Sequence, residues 1–179
     1  SDVCSSDLPT CDAKTGGNGC EECGHYNDCI DLVDPVGSTG EELELRECER
    51  YYFPLSRYSD YLTEALAKVA MHPSQRAFYQ HYLDEGLPDV CISHPAKWGI
   101  AVPGKPEQVI YEWAEMVASY LYIGDQVANN NKTASFWKDA NSQVVETFGF
   151  DNAFFYGLLL PAMMHSIDPD IKLPKAFLW

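Results

Sequence analysis

Three cysteines stand at the spacing Cys11-x8-Cys20-x2-Cys23. A zinc knuckle needs thiolates in close pairs, so that two tight backbone turns can present four sulfurs tetrahedrally. Cys20-Glu-Glu-Cys23-Gly24 has the form of one such pair with its trailing glycine. The matching pair, a Cys-x2-Cys ending at Cys11, would place the fourth ligand at position 8, which is Leu. Cys29 and His25 are substitutes at a less natural spacing, and a degenerate knuckle holding no metal is the plain alternative. The spacing therefore predicts a Zn2+ site that is incomplete.

Two further constellations could bind small molecules. Trp113 stands at the end of an apolar segment, and Met116 and Tyr120, four residues apart, share one face of the helix that follows. Such an aromatic pair can wall an apolar pocket, but by spacing alone such residues are more often simply core. Phe148-Gly149-Phe150-Asp151 falls at a strand-to-helix junction, the place where ligands bind in open α/β sheets. There Gly149 allows close backbone approach and Asp151 can accept hydrogen bonds from ribose hydroxyls. Helix capping by Asp151 fits the same residues.

The elements that must position these residues change character along the chain. Residues 9–40 are rich in Gly, Cys and Asp and have no apolar periodicity before Ile30-Asp31-Leu32-Val33, so they need a staple. Tyr51-Tyr-Phe-Pro54 reads as a short strand. One amphipathic helix carries Tyr61, Leu62, Ala65, Leu66 and Val69. A second carries Phe78, Tyr79, Tyr82 and Leu83 and is bounded by Pro73, Gly86 and Pro88. Trp98–Pro103 and Val109–Trp113 read as strands around Gly104–Glu107, with a helix over Ala114–Ile123 and a surface loop at Asn129–Lys132. Val144–Phe148 reads as a strand, Asn152 to about His165 as an apolar helix, and Lys175–Trp179 as the start of another strand. Strand, helix, strand is a parallel βαβ unit, so the fold class is α/β.

Composition narrows the function. With Lys+Arg 12 against Asp+Glu 27, a net charge of -15 excludes a broad nucleic-acid-binding face, which needs clustered cations. A site for a neutral or cationic small molecule remains open. The longest apolar run, around Gly157–Met164, contains Pro161 and is too short to span a membrane. No charged-then-apolar secretory segment opens the chain, so the seven cysteines read as metal ligands before disulfides and the protein as cytoplasmic. The first eight residues, SDVCSSDL, are polar and aperiodic and resemble translated adaptor read-through. They are set aside as a leader, with an ordinary disordered N-terminus as the alternative.

Taken in order, the pieces resemble a family. The knuckle leads to Glu49-Arg-Tyr-Tyr-Phe-Pro-Leu55 and two helices, then to Cys91-Ile-Ser-His94, Trp98-Gly-Ile-Ala-Val-Pro103 and Val109-Ile-Tyr-Glu-Trp113. Phe148-Gly-Phe-Asp151, Leu160-Pro-Ala-Met163 and Leu173-Pro-Lys-Ala-Phe177 close the series. This order resembles the middle of the methionyl-tRNA synthetases, class I aminoacyl-tRNA synthetases, from Pro9 to Trp179. The resemblance implies a Rossmann-like catalytic domain split by a zinc-knuckle connective insertion. On that reading residues 9–50 are a partial knuckle insertion, 51–97 a helical connective segment, and 98–179 the C-terminal half of the catalytic domain. It implies a ligase that joins methionine to ATP as an adenylate and passes the aminoacyl group to tRNA. Trp113, Met116, Tyr120, Asn152 and Tyr156 fall at the amino-acid pocket, Gly149 and Asp151 at the adenosine, and Cys11, Cys20 and Cys23 at three of four ligands of one knuckle.

The departures bear on selectivity. Tyr111-Glu-Trp-Ala-Glu-Met-Val117 stands where the family usually has Tyr-Val-Trp-Phe/Leu-Asp-Ala-Pro, so Met116 and Val117 replace small residues and reshape the pocket. Asn152 and Tyr156 stand in place of Ile and a pocket His, Phe150 in place of Lys, and His94 in place of Arg. The His-Ile-Gly-His and Lys-Met-Ser-Lys-Ser signatures would lie upstream of Pro9 and past Trp179. The expectation is an internal fragment, inactive by itself, since adenylate formation relies on their electrostatic stabilisation. A paralogue acting on another amino acid or a non-tRNA acceptor, and a non-catalytic zinc-knuckle interaction module, are the alternatives.

Overall fold

The computed structural model describes residues 3–7, 11, 13–15, 19–28, 30–37, 40, 43–44, 46–132 and 135–179. The chain forms two units, Ser1–Glu49 with Gly149–Phe154, and Arg50–Phe148 with Phe155–Trp179.

In the first unit β1 (Val3–Asp7), β2 (Lys14–Thr15) and β3 (Val33–Gly37) form an antiparallel sheet in the order β2-β1-β3. Ser6 pairs with Thr15, and Asp7 with both Lys14 and Val33. β3 lies at an edge, where its Pro35, lacking an N–H, is tolerated. The sequence reading set residues 1–8 aside as a leader; in the structure Val3–Asp7 is the central strand of this sheet. Ladder hydrogen bonds come from backbone groups, so a polar segment without apolar periodicity can still join a sheet. Leu8 and Cys29, both weighed as ligand positions, lie outside the described residues. Tyr26 stacks on Phe154, ring centroids 5.0 Å apart, and anchors this unit's small core.

In the second unit β4 (Tyr52–Phe53) leads through a 3-10 turn, Leu55–Tyr58, into α1 (Ser59–Leu66) and α2 (Pro73–Glu85). The start of α2 is set locally. Pro73 needs no partner for an N–H at the first helical position, and His72 and Gln75 form a reciprocal capping box. Arg76 donates to Leu66 O at 3.1 Å and Val69 O at 2.9 Å, tying α2 to the end of α1 and the turn that follows it. β5 (Val90–Cys91) pairs with β4, while β6 (Ser93–Pro95), β7 (Ala101–Val102) and β8 (Lys105–Ile110) form a second sheet in the order β6-β8-β7. The strand expected from Trp98 is shorter than expected because Gly99, at φ 134°, breaks the extended run.

α3 spans Glu112–Asn131, longer at both ends than expected. Trp113 therefore sits in the first turn of a helix, not at the end of a strand. Glu112 and Glu115 favour that end electrostatically. The Asn-rich segment read as a loop is the last helical turn, closed by Lys132 in the left-handed conformation (φ 55°).

β9 (Val145–Thr147) and β10 (Ala176–Leu178) pair in parallel, with Glu146 opposite Phe177, and α4 (Leu160–Ile167) lies between them in sequence. The expected βαβ unit is present, and with it the α/β class. The single helix expected from Asn152 is instead a 3-10 turn (Phe150–Asn152), a π-helical turn (Phe155–Leu159) and α4. Pro161 explains the break. Its ring excludes the carbonyl four residues back, that of Gly157, and the widened turn relieves the clash. Among the described residues no helix is long and apolar enough to cross a membrane.

Candidate functional site

The first unit holds the cysteines. The turn Cys20–Gly24 is closed by Gly24 N donating to Cys20 O at 2.9 Å and by Cys20 N donating to His25 O at 3.1 Å. Gly24 takes φ 72°, which a side chain would resist. The turn aims the amides of Glu22 and Cys23 at the Cys20 sulfur, each at 3.3 Å. The Sγ atoms of Cys11, Cys20 and Cys23 all lie within 4.8 Å of one another, and Cys11 Sγ is 3.5 Å from Cys20 Sγ. Burial raises the Cys20 thiol pKa, but the Cys23 and Glu22 amides and the neighbouring thiols outweigh it, so the net shift is downward. Burial, with the adjoining sulfurs, pushes Cys23 up to about 12. Three converging thiols, one with its pKa lowered, are a donor set that fits a thiophilic divalent cation. Zn2+ bound there would cross-link Cys11 to the Cys20–Cys23 turn. The sequence identified all three cysteines.

The same unit holds the expected ribose-side residues. Gly149, Asp151 and Asn152 form one 3-10 turn, with Asn152 N donating to Gly149 O at 3.0 Å. A Cβ on Gly149 would come 2.6 Å from Asp151 Oδ1, so the glycine is what lets that carboxylate fold back over the turn. No capping hydrogen bond from this turn's N-cap side chain exists, Gly149 having none to offer.

The second unit brings four of the five expected pocket residues together. Trp113, Met116 and Tyr120 lie on one face of α3, and with Phe155, Tyr156, Leu159 and Leu160 they line a cavity of ≈ 10 Å³, measured as room for water centres. That is the space of about one water. Asn152, the fifth, sits in the turn beside Gly149 and Asp151. Trp113 stacks face to face on Phe155 (centroids 4.2 Å, planes 5° apart) and meets Tyr156 edge-on at 5.7 Å. The Tyr120 and Tyr156 hydroxyls are 3.0 Å apart, and Tyr156 stacks on Phe148 at 5.0 Å. Burial, the Tyr120 hydroxyl and the Glu146 carboxyl all push the Tyr156 phenol upward, so it stays a neutral hydrogen-bonding group. The arrangement is an apolar aromatic slot with one hydroxyl pair.

Two residues of this region escaped the sequence reading. Phe155, the stacking partner of Trp113, was hidden in the run Phe154-Phe155-Tyr156, whose in–out pattern depends on the π turn. Glu146 was hidden as one polar residue of a strand. Its Oε2 is enclosed and has no hydrogen-bond partner among the described residues, and burial raises its carboxyl to about 8. It shares a strand face with Phe148, and Phe148 and Phe177 touch Tyr156 and Tyr79.

Known proteins share this organisation. The family described as tRNA synthetases class I (M) matches residues 3–178. A methionine--tRNA ligase of Ignicoccus hospitalis is 32% identical over 173 residues, which cover 93% of this chain and 31% of that protein. One from Methanocorpusculum labreanum is 30% identical over 161 residues, 88% of this chain and 24% of that protein. The structure of Mycobacterium tuberculosis methionyl-tRNA synthetase in complex with methionyl-adenylate superposes with a TM-score of 0.64 at 25% identity, covering 87% of this chain and 31% of that one. The chain thus spans about a quarter to a third of the length of these relatives. With the α/β architecture, the ordered motifs and a match over almost its whole length, the chain belongs to the class I (M) tRNA synthetase family.

Proposed function

We propose that this chain is the part of a methionine--tRNA ligase that carries the wall of the amino-acid pocket and the ribose-side turn. In the intact protein the carboxylate of methionine attacks the α-phosphate of ATP in line, pyrophosphate leaves, and the aminoacyl group then passes to tRNA. The observation that carries this reading is the cluster of Trp113, Met116, Tyr120 and Tyr156 around one apolar slot, in a chain whose relatives bear that ligase name. Trp113 and Phe155 would hold and dehydrate the amino-acid side chain, with the Tyr120–Tyr156 hydroxyls at its polar end. Asp151 would accept hydrogen bonds from the ribose hydroxyls of ATP, with Gly149 leaving room for its carboxylate. Cys11, Cys20 and Cys23 would hold Zn2+. The charge of -15 assigns the main tRNA contacts to other parts of the ligase.

A second reading, an enzyme for another amino acid, is favoured by the slot itself. Met116 and Tyr156 are among its lining residues, and about one water fits within it. ATP–pyrophosphate exchange by the intact protein, run with each amino acid in turn, separates the two. Exchange dependent on methionine supports the first reading. Exchange with a different amino acid supports the second, and no exchange with any of them removes both.

A further inference from the structure

The proposed reaction leaves one enclosed carboxyl of β9 without a task. Glu146 stands mid-strand, opposite Phe177 of β10, and its Oε2 has no hydrogen-bond partner among the described residues. Tyr156 of the π turn and Tyr79 of α2 are close enough to feel its charge. Burial first, then the Tyr120 hydroxyl and the Glu146 carboxyl, hold the Tyr156 phenol above the usual tyrosine range, and burial with Glu146 does the same to Tyr79. On the approach to β10, the Lys175 amine bonds Gln143 Oε1 at 3.1 Å. Burial alone moves the Glu146 carboxyl, to about 8, so no cation among the described residues holds it ionised. From Glu146 to the slot the path is short. Tyr156 lines the slot, and its hydroxyl is 3.0 Å from that of Tyr120, which lines it too. Phe148, two positions along the same strand face as Glu146, fixes the Tyr156 ring by stacking at 5.0 Å with planes 3° apart.

A phenol hydroxyl has one proton to give and lone pairs to receive. In the Tyr120–Tyr156 pair one hydroxyl donates to the other, and the acceptor's own proton goes elsewhere. With Glu146 neutral, Tyr156 is able to donate to Tyr120, which leaves the Tyr120 proton for the slot. An ionised Glu146 draws the Tyr156 proton towards the strand, a pull that apolar surroundings strengthen. The Tyr156 oxygen then accepts from Tyr120, and the slot is left with lone pairs only. We propose that Glu146 is a positioning residue of the amino-acid slot, acting through Tyr156 to set the direction of the hydroxyl pair and so whether the slot donates a hydrogen bond to the end of the bound side chain. This rests on the reading of the slot as the amino-acid site. With Glu146 neutral the slot favours a side chain that ends in an acceptor, such as a thioether. With Glu146 ionised it treats that side chain and its hydrocarbon isostere alike.

The test is ATP–pyrophosphate exchange by the intact ligase from pH 6.5 to pH 9, with methionine and with norleucine, in which a methylene replaces the sulfur. The ratio of the two kcat/KM values cancels every group that acts on ATP, on the chemical step or on the α-ammonium. As pH rises through about 8, the ratio of methionine to norleucine should fall about 2–5-fold, the worth of one weak hydrogen bond. In Glu146→Gln it should stay flat. Tyr156→Phe keeps the ring that stacks on Phe148 and should flatten the ratio as well, which keeps the test in force where Glu146→Gln does not fold. A flat ratio in the native ligase, or the native fall persisting in either variant, overturns the proposal while leaving the slot as the amino-acid site. Exchange with neither amino acid removes that reading of the slot, and the proposal with it.

Discussion

Replacing Glu146 with Gln should remove a pH-dependent weakness from the second unit. Glu146 lies on β9, opposite Phe177 and on the face shared with Phe148, and its Oε2 is enclosed without a hydrogen-bond partner among the described residues. Burial raises its carboxyl from an ordinary 4.5 to about 8. The native state therefore binds a proton more tightly than the unfolded chain, and stability falls as pH rises from about 4.5 through about 8. Below that window both states are protonated and Glu146 costs nothing electrostatically. Above it the full cost of holding a buried carboxylate applies. The displacement sets a ceiling of ~5 kcal/mol. Because the residue is partly exposed and water can hydrate the ionised form, about 2–4 kcal/mol is expected. Urea unfolding at pH 5 and at pH 8.5, followed by tryptophan fluorescence, reads this as a double difference that cancels every other titrating group. Glu146→Gln should lie within about 1 kcal/mol of the native chain at pH 5 and exceed it by about 2–4 kcal/mol more at pH 8.5. An equal gap at both pH values would refute the reasoning, because the carboxyl would then be ionised, or neutral, in both.

Other substitutions probe the packing around the site. Gly157→Ala would bring a Cβ within 2.2–2.3 Å of the Tyr79 ring and hydroxyl, so thermal unfolding should show a loss of at least about 1–3 kcal/mol. Gly124→Ala meets the Trp137 indole at 2.2 Å and should quench or shift Trp137 emission along with a similar loss. Arg76→Met keeps the aliphatic stem but removes two hydrogen bonds to the end of α1. It should cost about 1–3 kcal/mol in urea unfolding, and no change would mean that water replaces the guanidinium there.

What could be read from the sequence was what local chemistry dictates. Pro73 and Gly86 bracket α2, and the three cysteines announce their own turn. The i, i+4 pair Met116 and Tyr120 does face the slot, and the alternation of apolar and polar segments after Val144 does give a parallel strand pair. What could not be read depends on partners distant in the chain. β1 is a strand only because β2 and β3 flank it, since its own residues carry no pattern. Asn129–Asn131 are helical because α3 is already propagating when it reaches them, and adding a residue to a helix is far easier than nucleating one. Phe155 reaches Trp113 through a π turn, which shifts the helical phase so that no regular 3.6-residue count would pair them. Glu146 is one polar residue of its strand in the sequence, and its burial depends on distant neighbours, Tyr79 and Tyr156 among them.

The proposed function requires that the aromatic slot of α3 and the π turn binds the amino-acid side chain. The direct measurement is the pair of Michaelis constants for methionine and ATP in pyrophosphate exchange by the intact ligase carrying Trp113→Ala. Loss of the ring that stacks on Phe155 at 4.2 Å should raise the methionine constant at least ~10-fold, the size of a lost aromatic contact plus its burial. The ATP constant should stay within about twofold, since Asp151 and Gly149 are untouched. Equal increases in both constants, or none in either, would contradict the account and leave Trp113 a residue of the core.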